Sequence, residues 1–162
     1  MKQFIRNTLK GAAVAFTLAN AAIPASAQSN FISSAKTPAD IEAAFDFAQD
    51  IARNPLIQRT MQYAVGIFND RSFTRYARVL EKIRNGSEPS NLGGKGLVAY
   101  CVAIDTVKMT GMIAPYLEGE DKREISYLGT LSFDTAVAID RDQHDGEANP
   151  GHCRDIYKAY LK

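Results

Sequence analysis

The run Gly96–Met112, GLVAYCVAIDTVKMTGM, constrains the fold of this chain more than any other stretch. Its apolar side chains recur at steps of three and four residues, the spacing of a helix that is buried over most of its circumference. Cys101 lies on this apolar stripe, and Asp105 and Lys108 lie at its edge. We therefore predict a central scaffold helix with Cys101 at or beside the core.

The first 27 residues have the pattern of a cleaved secretion signal. Three basic residues precede the short apolar segment Gly11–Ile23, and Ala25-Ser26-Ala27 follows as a small-residue cleavage site. The apolar segment is shorter than the roughly 20 residues that span a bilayer. No later segment is expected to span one either, and no cysteine follows the cleavage site as a lipid anchor would need. We expect a periplasmic protein that begins near Gln28, without stable membrane insertion.

The chain contains two cysteines, Cys101 and Cys153. In an exported protein such a pair is most simply a disulfide. Closing a loop of about 52 residues would stabilise the fold by roughly 4 kcal/mol in the chain-entropy model. No C-x-x-C motif and no further cysteine accompany the pair. We predict a structural disulfide and neither a cofactor nor a metal ligand set.

Start and stop signals divide the rest of the chain into a lead-in, 28–36, and one helical domain, 37–162. Thr37 followed by Pro38, and Asn54 followed by Pro55, are typical helix starts, and Gly86 is a typical helix end. A short extended piece at Tyr127–Phe133 stays open. The predicted fold is all-α, a single-domain bundle of five or six helices with one disulfide. Helices are expected to begin near Pro38, Pro55, Ser72, Gly96, Glu120 and Pro150.

The segment Gly86–Gly96, GSEPSNLGGKG, is the clearest predicted loop, because it contains four glycines among other turn-forming residues. It lacks the preceding strand and the Lys-Ser/Thr end of a phosphate-binding loop. A second predicted loop, Asp140–Glu147, is acidic. Its spacing fails the EF-hand pattern, since positions six and twelve hold Asp145 and Gly151. We predict solvated loops at both places.

Charge is nearly balanced but unevenly distributed. Without the three basic residues of the signal, 16 basic residues face 18 acidic ones, which gives no footprint for nucleic acid. Between Arg53 and Lys95 there are eight basic and three acidic residues, and between Glu118 and Glu147 nine acidic and three basic. This asymmetry either steers a charged partner or forms two solvated faces.

Groups for catalysis are few. The two histidines are His144 and His152, and His144 with Asp145 could form an acid–base or metal-dependent hydrolytic centre. No G-x-S-x-G motif marks a nucleophilic serine. We predict that the chain is not an enzyme, with a hydrolase or ligand binder on the His144 loop as an alternative.

The last segment, Cys153–Leu161 (CRDIYKAYL), resembles the C-x-D-x-Y…L end of the amidase-immunity proteins of type VI secretion. The L-V-x-x-C-x-A sequence around Cys101 is loosely similar to their first cysteine helix. The resemblance implies a small, exported, helical protein that blocks a peptidoglycan amidase in the periplasm. The long segment before Cys101 and the short spacing between the cysteines depart from the pattern, and no inhibitory residue can be carried over.

The sequence thus predicts a protein that binds another envelope protein, with a homodimer left open. An envelope-stress chaperone or a structural periplasmic protein is a further alternative. Because loops on rigid scaffolds carry function, we expect the loops Gly86–Gly96 and Asp140–Asn149 to contact the partner. Their candidate contact residues are Lys95, Asp142, His144, Asp145 and Glu147.

Overall fold

The structure, a computed structural model, describes residues 37–140 and 150–162. This part of the chain consists of six α-helices and one 3-10 turn, with no strand among the described residues, so the predicted all-α bundle is confirmed. The helices are α1 Pro38–Arg53, α2 Pro55–Phe68, α3 Arg71–Arg84, α4 Leu92–Ile113, α5 Gly119–Asp140 and α6 Pro150–Tyr160, and the 3-10 turn Ala114–Tyr116 follows α4.

Side-chain caps fix the helix boundaries. Thr37 and Asp40 form a reciprocal capping box at the start of α1. Asn54 ends α1 and caps α2, since its Oδ1 accepts hydrogen bonds from the next backbone N–H groups. Asp70 caps α3 in the same way, and Gly86 ends that helix with a φ of 82°. Each cap satisfies backbone groups that a helix end leaves without partners.

Helix α4 is the centre of the bundle, as its apolar periodicity predicts. It packs most extensively against α5 and next against α1, and it also contacts α2, α3 and α6. Val98, Cys101, Val102 and Met109 are buried along its length. The other helices therefore stabilise themselves by covering different sides of one apolar helix.

The disulfide between Cys101 and Cys153 is present, as predicted. It joins α4 to α6 across a Cα–Cα distance of 5.4 Å, and both cysteines are buried. The short helix α6 is thereby attached covalently to the centre of the fold. Tyr157, one turn after Cys153, is buried on the same side of α6.

The prediction that Gly86–Gly96 is one loop was wrong in its second half. Helix α4 begins at Leu92, where the Asn91 side chain accepts a hydrogen bond from the Gly94 N–H at 2.7 Å. Gly94 marks a close approach, since a Cβ there would lie 3.0 Å from Pro89, whereas one on Gly96 would make only an ordinary contact with Ile41 of α1 at 3.5 Å. The cap and this packing outweigh the low helix propensity of glycine.

Helix α5 is continuous through Tyr127–Phe133, so the extended alternative for that stretch was wrong. Gly129 again marks a close approach rather than a break. A Cβ at this position would lie 2.6 Å from Oγ1 of Thr110 on α4. That hydroxyl is held by its hydrogen bond to the Thr106 carbonyl at 2.8 Å. The missing side chain lets α5 pack tightly against α4.

Helix α4 also corrects the expectation that no later segment has the length and composition of a membrane span. Within the described part of the chain, Leu92–Tyr116 is long and apolar enough to cross a bilayer. However, 56% of its most apolar window is buried inside this fold. The same length and hydropathy are typical of the core helix of a bundle.

Candidate binding face

A cleft of about 330 Å³ opens where the α3–α4 loop, the first turns of α4 and the end of α6 meet. We call it the α3–α4 cleft. Its walls include the apolar side chains of Leu97 and Ile156 and the polar side chains of Lys82 and Tyr160. Its volume is at the lower end of the range for ligand pockets, and it would hold one or two side chains of a partner.

Contacts distant in sequence hold the loop beside this cleft. The Tyr160 hydroxyl donates to the Ser87 carbonyl at 2.6 Å, and the Lys82 ammonium donates to the Tyr160 carbonyl. The same ammonium lies 4.8 Å from the centroid of the Tyr160 ring. Burial raises the pKa of Tyr160, which keeps its hydroxyl a hydrogen-bond donor further into alkaline solution. The end of α6 thereby fixes the loop.

Lys95 lies on the first turn of α4 and not in a loop. Its ammonium is 2.8 Å from a carboxylate oxygen of Glu42 on α1 and 2.8 Å from one of Glu88 in the loop. Gln49 also donates to Glu88. Hydrogen bonds to both carboxylates raise the pKa of Lys95 to about 12, and its side chain is 16% exposed. Lys95 ties the loop to α1, so little of it is accessible to a partner.

The remaining candidate contact residues, Asp142, His144, Asp145 and Glu147, lie outside the described residues, as do the predicted signal and lead-in. Of the candidate contact residues the structure therefore describes only Lys95, which lies beside the cleft. Among the residues that are described, no group of three His, Cys, Asp or Glu side chains could hold a metal ion.

A row of basic side chains follows the outer face of α3 and ends at the cleft. We call it the α3 ridge; it consists of Arg71, Arg75, Arg78 and Lys82, at positions i, i+4, i+7 and i+11. Arg71 and Arg78 are exposed, and the other two are half-buried. The uneven charge of the sequence indicated a basic segment here. Lys82, the last residue of the row, contacts Tyr160 in the wall of the cleft. Sequence reasoning did not identify Tyr160 as part of a binding face.

A buried polar cluster lies behind the ridge, where α3, α4 and α6 meet. The Tyr76 hydroxyl hydrogen-bonds Thr106, and both side chains are buried. The Tyr157 hydroxyl is buried without a hydrogen bond of good geometry, but it lies near enough to Asp105 to lower the pKa of that carboxyl group. Burial dominates, however, and raises the pKa of Asp105 to about 6.

The α3 ridge and the α3–α4 cleft together form a candidate binding face. The basic row is a source of electrostatic attraction, and the cleft is a socket at its end. No protein-family model, no curated protein and no solved structure matches this chain. The resemblance to amidase-immunity proteins therefore stays a prediction from the short stretch Cys153–Leu161.

Proposed function

We propose that this chain is an exported protein that acts by binding another protein of the cell envelope. The observation that carries the proposal is the way the loop after α3 is fixed. Tyr160 on α6 donates a hydrogen bond to the Ser87 carbonyl of the loop. Lys95 on α4 forms salt bridges with Glu88 of the loop and with Glu42 of α1. A surface that is already ordered loses little conformational entropy when a partner binds, which favours affinity.

The more specific proposal is an immunity-type inhibitor of a cell-wall-degrading amidase. Its support is the resemblance of the last helix, whose matched residues have clear structural roles. Cys153 forms the disulfide and Tyr157 is buried beside it, whereas Asp155 is exposed and pairs with Lys158 at 3.2 Å. The matched residues therefore belong mainly to the scaffold. A family that shares this scaffold would keep it while its contact surface varies with each partner.

Export and binding can be tested together. The full chain is expressed in a Gram-negative bacterium, and the oxidised protein is recovered from the periplasm. N-terminal sequencing should then show a start near Gln28. Incubation with an envelope extract should retain one partner in equimolar amount, and that partner should be a peptidoglycan amidase. Its hydrolysis of peptidoglycan should fall in proportion to the protein added until the ratio reaches one to one.

A matched control uses the same protein after reduction and alkylation of its two cysteines, which releases α6 from α4. This form should lose the partner if the fixed loop forms the binding surface. Recovery only from the cytoplasm, or an amidase activity that the protein leaves unchanged, would contradict the proposal.

A further inference from the structure

The α3 ridge forms one continuous basic edge. Four residues separated by three or four positions fall on one face of a helix. With a rise of 1.5 Å per residue, the row from Arg71 to Lys82 is about 17 Å long. An extended peptide advances about 3.4 Å per residue, so the ridge matches roughly five residues of such a chain.

The ridge arginines have no partners within the described part of the protein. Arg71, Arg75 and Arg78 donate no hydrogen bond and form no ion pair there. Arg75 is near enough to Asp105 to lower its pKa, but that carboxyl group belongs to the cluster behind the ridge. Like charges at these spacings destabilise a helix by about 0.2–0.5 kcal/mol per pair. A negatively charged partner would remove this repulsion.

At its Lys82 end the α3 ridge meets an apolar surface. Lys82 is fixed there by Tyr160, and the α3–α4 cleft opens beside it with Leu97 and Ile156 in its wall. An anionic chain along the ridge would reach a socket that accepts an apolar side chain. A peptide bound along this line would thus meet the basic side chains of the α3 ridge first and the apolar wall of the α3–α4 cleft next.

We propose that the α3 ridge and the α3–α4 cleft together bind an extended acidic segment of the partner protein. Its carboxylates lie along the arginines, and one apolar side chain enters the cleft. This inference rests on the proposed function, because it takes the partner to be a protein. It adds the chemistry that the partner must present.

Two observations favour an acidic peptide over a nucleic acid or a lipid surface. The row has only four basic residues, the fewest of a lipid-binding cluster, and the charge of the chain is nearly balanced, unlike that of a typical nucleic-acid-binding domain. Carboxylates also lie at both ends of the row, with Asp70 directly before Arg71 and Glu88 at the cleft. They would repel a continuous phosphate surface, and a peptide segment can place its own charges to avoid them.

The test uses a fluorescein-labelled hexapeptide in which Glu-Glu-Leu is repeated twice. Its binding to the full oxidised protein is followed by fluorescence anisotropy at about 20 mM and about 150 mM salt. The variant Arg71→Glu/Arg78→Glu should weaken binding at least about tenfold at low salt. The control Lys122→Glu/Arg123→Glu makes the same change in net charge on exposed positions of α5, and it should alter binding less than about twofold.

A second variant tests the cleft. Ala159→Trp places a large ring at the cleft from an exposed position near the end of α6. It should weaken the leucine-containing peptide about fivefold or more and leave a hexapeptide of glutamate unchanged, because only the former uses the apolar socket. Circular dichroism of every variant should show unchanged helicity. Equal loss for both peptides would overturn the role of the cleft.

Other outcomes would overturn the assignment of the ridge. These are equal weakening by both charge reversals, or ridge-dependent binding that is tighter to phosphatidylglycerol vesicles or to duplex DNA than to the peptide. A salt-sensitive dimer that dissociates in Arg71→Glu/Arg78→Glu would assign the ridge to a second copy of this chain. The two proposals fail separately. An equimolar envelope partner that is insensitive to the ridge reversal contradicts only this inference, whereas ridge-dependent peptide binding without such a partner contradicts the proposed function.

Discussion

Asp105 is the side chain whose replacement tests the energetics of the fold most directly. Its carboxyl group is mostly buried on α4, and burial raises its pKa from 3.8 to about 6. The neighbouring groups act in both directions: Tyr157, Lys108 and Arg75 lower the pKa, and Asp70 raises it. Replacing Asp105 with asparagine keeps the size of the side chain and removes its charge. We expect the variant to be more stable than the wild type at pH 7.

The magnitude follows from proton linkage. Because the folded pKa lies above the unfolded one, the folded state holds the proton more tightly. The resulting penalty is small below about pH 4, grows as the pH rises, and is nearly complete above about pH 6. A rise of about two units corresponds to about 3 kcal/mol. Partial solvation of the carboxylate reduces the expected gain to about 2–3 kcal/mol at pH 7.

Urea denaturation followed by circular dichroism, repeated from pH 4 to pH 7, measures this effect. The advantage of Asp105→Asn should appear between pH 4 and pH 6 and then level off. The control is the same substitution at Asp134, an exposed position on α5, and the comparison of the two variants isolates the effect of burial. Asp70 is distinguishable, because hydrogen bonds from Lys108 and Ser72 lower its pKa to about 2 and confine its own effect to more acidic solutions. An advantage that does not vary with pH would refute the reasoning.

Two further substitutions test the packing and the loop. Gly129→Ala should lower the free energy of unfolding by about 1–3 kcal/mol, because its Cβ would meet α4 at 2.6 Å. Gly66→Ala, on an open face of α2, should instead raise it by about 0.5–1 kcal/mol, because alanine has the higher helix propensity. Urea titration of both variants therefore separates the cost of a steric clash from the gain in helix propensity. Tyr160→Phe removes the hydrogen bond to the α3–α4 loop and should cost about 0.5–1.5 kcal/mol. It should also increase amide hydrogen exchange in that loop, and unchanged exchange would show that other contacts hold it.

The helix boundaries could be predicted because their causes are local. Thr37, Asn54 and Gly86 act on backbone groups within a few residues, so the sequence contains the whole interaction. The buried stripes of α3 and α4 are also local in origin, since periodicity alone decides which face is apolar. The disulfide is distant in sequence and could be predicted for another reason, because the chain offers no other cysteine pair.

The start of α4 and the binding face could not be predicted, because their causes are distant in sequence. Glycines before Gly96 indicated a loop, but the packing of α4 against α1 favours helix there. Lys95 pairs with Glu42, which lies 53 residues earlier, and Lys82 contacts Tyr160 across 78 residues. Periodicity shows that a side chain is exposed, and it does not show which distant group lies beside it.

Two features of the region where α4 meets α6, the disulfide and the buried carboxyl group of Asp105, have opposite effects on stability. Cys101 and Asp105 lie one turn apart on α4, and their counterparts Cys153 and Tyr157 lie one turn apart on α6. The disulfide stabilises the fold by roughly 4 kcal/mol, which offsets the penalty of ionised Asp105. Replacing both cysteines with alanine should therefore leave a protein that is less stable at neutral pH than at pH 4. About 2 kcal/mol should return at pH 4, and adding Asp105→Asn should return a similar amount at pH 7. Urea titrations that show no recovery by either route would mean that ionised Asp105 does not oppose the joining of these helices.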